Sequence, residues 1–176
     1  MTSNIILMGP KHSGKTNAGR ALASLCSCEF IDLDELISQT TGKTPRQLYI
    51  ESPVIFQKAE ADAVAAIINS DAQYSVIATG GGIIDNSEAV ALLPKINAVT
   101  VYLNISAENA WQRITNSIDG ELPPFLQTEN PQETHRVLHE RRAAAYSQFA
   151  KIVIEAEDKS SKEIAVMIIE SMKGFS

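Results

Sequence analysis

The eight residues Gly9-Pro-Lys-His-Ser-Gly-Lys15-Thr16 carry the spacing G-x-x-x-x-G-K-[ST], in which each residue type has a task on a polyphosphate. Gly9 and Gly14 allow backbone conformations and close approaches that a side chain blocks. The N–H groups of Gly9, Lys11, His12, Ser13 and Gly14 can therefore turn inward around the α- and β-phosphates. Lys15, expected on a solvated loop, is placed for the β- and γ-phosphates, and Thr16 for Mg²⁺. The loop follows the apolar run Ile5 to Met8 and precedes a helical stretch, which is the strand–loop–helix setting the motif requires. A nucleoside triphosphate is the expected ligand.

Two further clusters have chemistry to offer. Phe30-Ile31-Asp32-Leu33-Asp34 sets two carboxylates two apart at the end of an apolar run. If both lie in a strand they project from one side, where Asp32 suits Mg²⁺ near Thr16 and Asp34 suits the hydroxyl of an acceptor. Two acids on one face repel unless a cation lies near. Thr79-Gly80-Gly81-Gly82 places three glycines after another apolar run, offering backbone N–H groups to a ligand and conformations that a Cβ forbids.

The elements that must position these residues alternate in kind. Asn4–Met8, Glu29–Leu33, Ser75–Thr79, Val99–Leu103 and Lys151–Glu155 read as strands, with helical patterns between them. That alternation predicts a parallel sheet covered on both faces, with ligands at its C-terminal edge. Thr44-Pro45 and Ser52-Pro53 each put a capping residue before proline, predicting two short helices between residues 45 and 69, with Phe56, Lys58, Glu60 and Asp62 on the side of a cleft. Residues 116–131 lose all periodicity around Pro123-Pro124 and read as a lid that closes over the nucleotide. Ser160 and Glu163 form a capping-box pattern ahead of a last helix.

Composition narrows the partners. A chain of 176 residues, 44% hydrophobic and 20% charged, reads as a single globular domain over 1–176. A formal net charge of −6 argues against nucleic acid as a partner, so an anionic substrate needs a local cationic pocket. The short apolar run broken at Gly9 offers neither a secretory signal nor a membrane span, and the expected location is cytoplasmic. Cys26 and Cys28 are read as buried or half-buried thiols, and His135 and His139 as solvated helix-face residues rather than metal ligands.

Together, the loop Gly9–Thr16, the F-I-D-L-D segment, Ala78-Thr-Gly-Gly-Gly82 and Arg142-x-x-x-Tyr146-x-x-x-Ala150 resemble the shikimate kinase family in order and spacing over nearly the whole chain. The resemblance implies an α/β P-loop NTPase of the nucleoside-monophosphate-kinase type. Its five-stranded parallel sheet would have the order 2-3-1-4-5, with a substrate-binding insertion near 34–62 and a lid near 114–130. It also implies ATP and Mg²⁺ as cofactors, phosphorylation of shikimate at its 3-hydroxyl within aromatic amino acid biosynthesis, and a monomer. Carried over, Lys15 and Thr16 serve phosphate and metal, Asp32 the metal, Asp34 the acceptor hydroxyl, Gly80, Gly81, Gly82 and Arg142 the acceptor, and Arg113 the adenine ring. Three positions depart from the family pattern. Gln57 replaces the arginine of F-R-x-x-E, Leu122 that of the lid R-P-L-L, and Ser52-Pro53 the Gly-Glu before the insertion helix. Lys58, Arg46 and Arg141 are candidate replacement cations. The losses leave open a kinase for another hydroxy acid, such as a gluconate-like sugar acid, or a nucleotide-binding regulatory protein. No N-K-x-D sequence favours a guanine nucleotide switch.

Overall fold

A computed structural model describes residues 3–70, 74–116 and 122–174. Five parallel strands, β1 (Asn4–Met8), β2 (Glu29–Asp32), β3 (Ser75–Ala78), β4 (Ala98–Asn104) and β5 (Ile152–Glu155), form one sheet ordered β2-β3-β1-β4-β5. β1 is central, pairing with β3 through Ile5–Val76 and with β4 through Ile5–Val99. Its alternation decides what covers each face. Ile5 and Leu7 pack with Ala18 and Leu22 of α1 (Lys15–Cys26) and with Ile164 and Ile168 of α8 (Ser161–Lys173). Ile6 and Met8 pack on the other face with Leu33 and Ile37 of α2 (Leu33–Thr41), Val64 of α4 (Pro53–Ile68) and Tyr146 of α7 (Pro131–Phe149). All four β1 side chains are fully buried, each contributing about 1.5–3 kcal/mol. The loop that follows β1 is therefore anchored on the most deeply held strand of the sheet.

The helices of the insertion start where the sequence signals them. Thr44 caps α3 (Pro45–Glu51) in a reciprocal box with Gln47, and Ser52 caps α4 by accepting from Val54 N–H at 3.3 Å. α4 is sixteen residues long rather than short, because its apolar residues run on beyond the cap and bury Ala61, Val64 and Ile67 against the sheet. A 3₁₀ turn at Ile83–Asp85 leads into α5 (Ser87–Leu92), and α6 (Ala107–Thr115) follows β4.

Of the expected lid, residues 117–121 lie outside the described residues. Residues 114 and 115 complete α6, and Pro124–Leu126 form a 3₁₀ turn where irregular chain was expected. The histidines also differ from expectation. His135 and His139 are only 6% and 7% exposed, with the His135 ring tilted against those of His139 and Trp111, and His139 Nε2 3.0 Å from Ile105 O. One turn apart on α7, they pack beneath α6, whose Trp111 supplies the aromatic neighbour that helical spacing alone did not reveal. Cys26 and Cys28 are half-buried free thiols, as expected.

Candidate active site

The phosphate-loop residues, Asp32 and Asp34, and the glycine run after β3 come together at the C-terminal edge of the sheet. The loop after β1 turns through left-handed backbone at Gly9 (φ 143°), His12 (φ 61°) and Gly14 (φ 94°). A Cβ on Gly9 would lie 2.6 Å from Leu103 O, so this position excludes any side chain twice over, by conformation and by space. The curled backbone forms a concave row of N–H groups at the start of α1, suited to an anion. Lys15 is not solvated. It is 8% exposed, and its Nζ donates to Gly9 O at 2.9 Å and Pro10 O at 2.8 Å, which fixes it at the centre of the loop. Burial lowers its pKa to about 8, against the opposing pull of Asp34 and Asp32.

Asp32 has two tasks. Its Oδ1 caps α2, accepting from Asp34 N–H at 3.0 Å and Glu35 N–H at 3.4 Å, while its Oδ2 accepts from Thr16 Oγ1 at 2.8 Å. β2 ends at Asp32, so Asp34 stands in the first turn of α2 and not in the strand. The two carboxylates meet through the strand-to-helix turn instead of strand alternation. Asp34 opens onto solvent through the surrounding cavities, yet enough protein lies around it that desolvation, followed by the charge of Asp32, raises its pKa.

Two cavities adjoin at this edge. One, of about 410 Å³, is lined by the loop residues Lys11, His12, Gly14, Lys15 and Thr16 together with Asp32 and Arg113. Arg113 Nη1 donates to His12 O at 3.1 Å, bringing α6 against the loop. The second, of about 480 Å³, is walled by Gly80–Gly82, Arg142, Phe56, Glu60 and the segment 123–125. Both are lined by Lys11, Asp34 and Gly81. The glycine run makes this junction possible through space rather than through left-handed backbone. A Cβ on Gly81 would lie 2.6 Å from Lys11 N, and one on Gly82 3.0 Å from Arg142 Nη2. The expectation of special conformations at residues 80–82 is corrected accordingly: among the described glycines, left-handed φ occurs at Gly9, Gly14 and Gly42.

Arg142 is held by Asp85, whose Oδ2 accepts from Nε at 2.9 Å and pairs with Nη2 at 2.8 Å, and its Nη1 donates to Gly81 O at 3.3 Å. Asp85 and Asn86 were not anticipated, and the only sequence signal for Asn86 was its place as a cap before Ser87-Glu88. Asn86 Nδ2 donates to Gln57 O at 2.8 Å and Glu60 Oε2 at 2.9 Å. Glu60 is 1% exposed, its Oε1 has no hydrogen-bond partner among the described residues, and its pKa rises to about 7 through burial. The four insertion residues split by helical turn. Phe56 and Glu60 line the second cavity, while Lys58 pairs outside it with Asp62 at 2.9 Å and Glu88 at 3.2 Å. Lys58 is thereby removed as a replacement cation. Arg141 is exposed and pairs with Asp85 Oδ1 at 2.9 Å, whereas Arg46 lines the cavity.

The family model for shikimate kinase matches residues 11–173. This chain belongs to the shikimate kinase family. The shikimate kinase of Marinomonas sp. (strain MWYL1) is 36% identical over 171 residues, 97% of this chain and 92% of that one. The solved shikimate kinase from Acinetobacter baumannii in complex with shikimate superimposes with a TM-score of 0.88 at 31% identity, covering 100% of this chain and 96% of the other. A deoxyadenosine kinase from M. mycoides, at TM-score 0.56 and 14% identity over 98% of this chain and 100% of its own, shares the fold alone. The shikimate kinase family thus accounts for the order of the motifs and for the five-stranded sheet that carries them.

Proposed function

We propose that this protein transfers the γ-phosphoryl group of ATP to the 3-hydroxyl of shikimate, and that Mg²⁺ assists the transfer. The observation that carries the reading is the junction of the two cavities at Lys11, Asp34 and Gly81, with phosphate-binding backbone on one side and a walled chamber on the other. Family membership selects the acceptor. In this reading Gly9, Lys11, His12, Ser13, Gly14 and Lys15 hold the phosphates, and Arg113 lies along the adenine. Asp34 accepts a hydrogen bond from the acceptor hydroxyl, aligns its oxygen for in-line attack and takes its proton. Gly80, Gly81, Gly82 and Arg142 seat the rest of the acceptor.

The donor set fits a hard cation: the Thr16 hydroxyl and the Asp32 carboxylate are oxygen ligands already brought to 2.8 Å of one another. Bound there, Mg²⁺ would supply charge neutralisation at the phosphates. The reading includes a cytoplasmic monomer without nucleic-acid partners. Among the described residues no helix is long and apolar enough to cross a membrane.

ADP release measured over a panel of shikimate, quinate and gluconate tests the proposal. Shikimate should be the preferred acceptor, with turnover lost on chelation and restored by Mg²⁺. A preference for gluconate, or ATP binding without transfer to any of the three, overturns it.

A further inference from the structure

Lys11 lines both cavities, and among the described residues it is the one cation that does: Lys15 and Arg113 line the first, Arg46 and Arg142 the second. Its main chain is fixed at the boundary between them. A Cβ on Gly81 would lie 2.6 Å from Lys11 N and 3.1 Å from its Cα, so the glycine run holds the backbone of residue 11 in the junction. The side chain that leaves from there is exposed, and its ammonium makes no hydrogen bond or ion pair among the described residues. It is nevertheless near enough to act on Asp34. Desolvation and the charge of Asp32 raise the Asp34 pKa, and the charges of Lys15 and Lys11 pull against them.

A phosphoryl group in transfer spreads negative charge over its three equatorial oxygens, and the surroundings of this junction are acidic. Asp32 and Asp34 line the first cavity, and Asp34, Glu60 and Asp85 the second. Residues 114–130, where a lid over the nucleotide is expected, carry Asp119, Glu121 and Glu129 in their sequence and no Lys or Arg. That segment has no cation to bring to the crossing point. Positive charge there has to come from the body of the fold, and Lys11 is rooted at the place where it is needed.

Resting on the shikimate kinase reading, we infer that the Lys11 side chain is catalytic: its ammonium donates hydrogen bonds to the equatorial oxygens of the phosphoryl group as that group passes from the first cavity to the second. In this step the bond from the γ-phosphorus to the ADP oxygen breaks, the bond from the acceptor oxygen to that phosphorus forms, and the acceptor's proton passes to Asp34. Lys11 keeps its own protons throughout. A compact charge on a flexible stem, with no partner to leave, can follow the phosphoryl group across the junction.

The test measures single-turnover transfer from ATP to shikimate, with Mg²⁺ and saturating ligands, in the unmodified protein, Lys11→Met and Lys11→Arg, beside the dissociation constants of ADP and shikimate. Lys11→Met keeps the stem and removes the charge, and its transfer rate should fall about 100-fold, the scale of deleting one donor to developing charge. Both dissociation constants should move by less than about threefold, since neither ligand carries the group in transfer. Retained ADP affinity also reports that the variant is folded. Lys11→Arg restores the charge and should recover the rate to within about tenfold of the parent. An unchanged rate in Lys11→Met overturns the inference, and weakened shikimate binding beside it would make Lys11 an acceptor contact instead. A collapse of ADP affinity would assign the ammonium to holding the nucleotide, and a rate in Lys11→Arg as low as in Lys11→Met would show that its charge is not what acts; each overturns the inference while leaving the kinase reading intact. No transfer to shikimate by the unmodified protein overturns the kinase reading, and this inference with it.

Discussion

Lys15 and Asp34 both line the first cavity, and their environments separate their contributions. Lys15 is buried at the centre of the loop, so removing its ammonium relieves a desolvation cost at the same time as it removes the phosphate contact proposed for it. Lys15→Met, which keeps the stem, is expected to melt no lower than the parent at pH 7 and to lose about 100-fold or more in kcat, the scale of deleting a preorganised charge-stabilising donor. Parallel thermal melts and steady-state rates check both halves. The same burial gives the parent a pH signature. With a folded pKa near 8 and an unfolded value near 10.5, the folded chain holds fewer protons in that interval, so this group adds stability as pH rises from about 8 to 10.5. In the proposed reading Asp34 addresses the acceptor, and Asp34→Asn should lower kcat by about 10²–10⁴ while leaving the nucleotide dissociation constant nearly unchanged. A collapse of nucleotide affinity, read by calorimetric titration, would move Asp34 to the metal side. That both residues stand beside the phosphate loop was legible from residue type and spacing. The burial of Lys15 was not, because its partners are backbone carbonyls that only the curled loop presents.

At the level of elements, the glycine segment after β3 and the loop after β1 press together, with no room for a methyl group between Gly81 and Lys11 N. Gly81→Ala is expected to push the two apart and to lower both ATP affinity and turnover by about tenfold or more, as overpacking against backbone has no flexible side chain to absorb it. Gly80→Ala meets only the carboxylate ends of Glu60 and Asp34, at 3.0 and 3.2 Å, and should disturb ATP affinity less. Titrating ATP against both variants decides whether backbone contact sets the order. The strands, both proline-led helices and the capping box at Ser160 could be read from local signals, since caps and alternating burial act within a few residues. Asp34 was read at the strand end because the carboxylate of Asp32 stops β2 by accepting the first N–H groups of α2, and a cap read only as a ligand left the boundary one residue late. The partners of Arg142 escaped notice because Asp85 is 57 positions away in sequence and joins it only through the fold.

Across the whole molecule, the chain buries an acid it does not neutralise with an adjacent cation. Glu60 meets Asn86 directly and feels Asp34, Asp85 and Arg142 across the cavity, and desolvation dominates the sum. Its folded pKa near 7 exceeds the unfolded 4.5, so the stabilising proton is fully bound in the folded chain below about 4.5 and is lost as pH rises through 7. The integrated effect is on the order of 3 kcal/mol. Glu60→Gln should remove this component, so the difference in melting temperature between parent and variant should change by several degrees from pH 5 to pH 8. A constant difference would show that Glu60 is ionised throughout. The two cavities that meet over Lys11, Asp34 and Gly81 also have a consequence for inhibitor chemistry. Ligands for the two sides would meet over the three residues the cavities share, so a molecule joining a polyol acid to a polyphosphate needs only a short bridge. Once one half is seated, the other is presented at high effective concentration, and its affinity is gained without new contacts. Such a conjugate would also have to fit the second cavity of this particular chain, which Gln57 and Arg46 line.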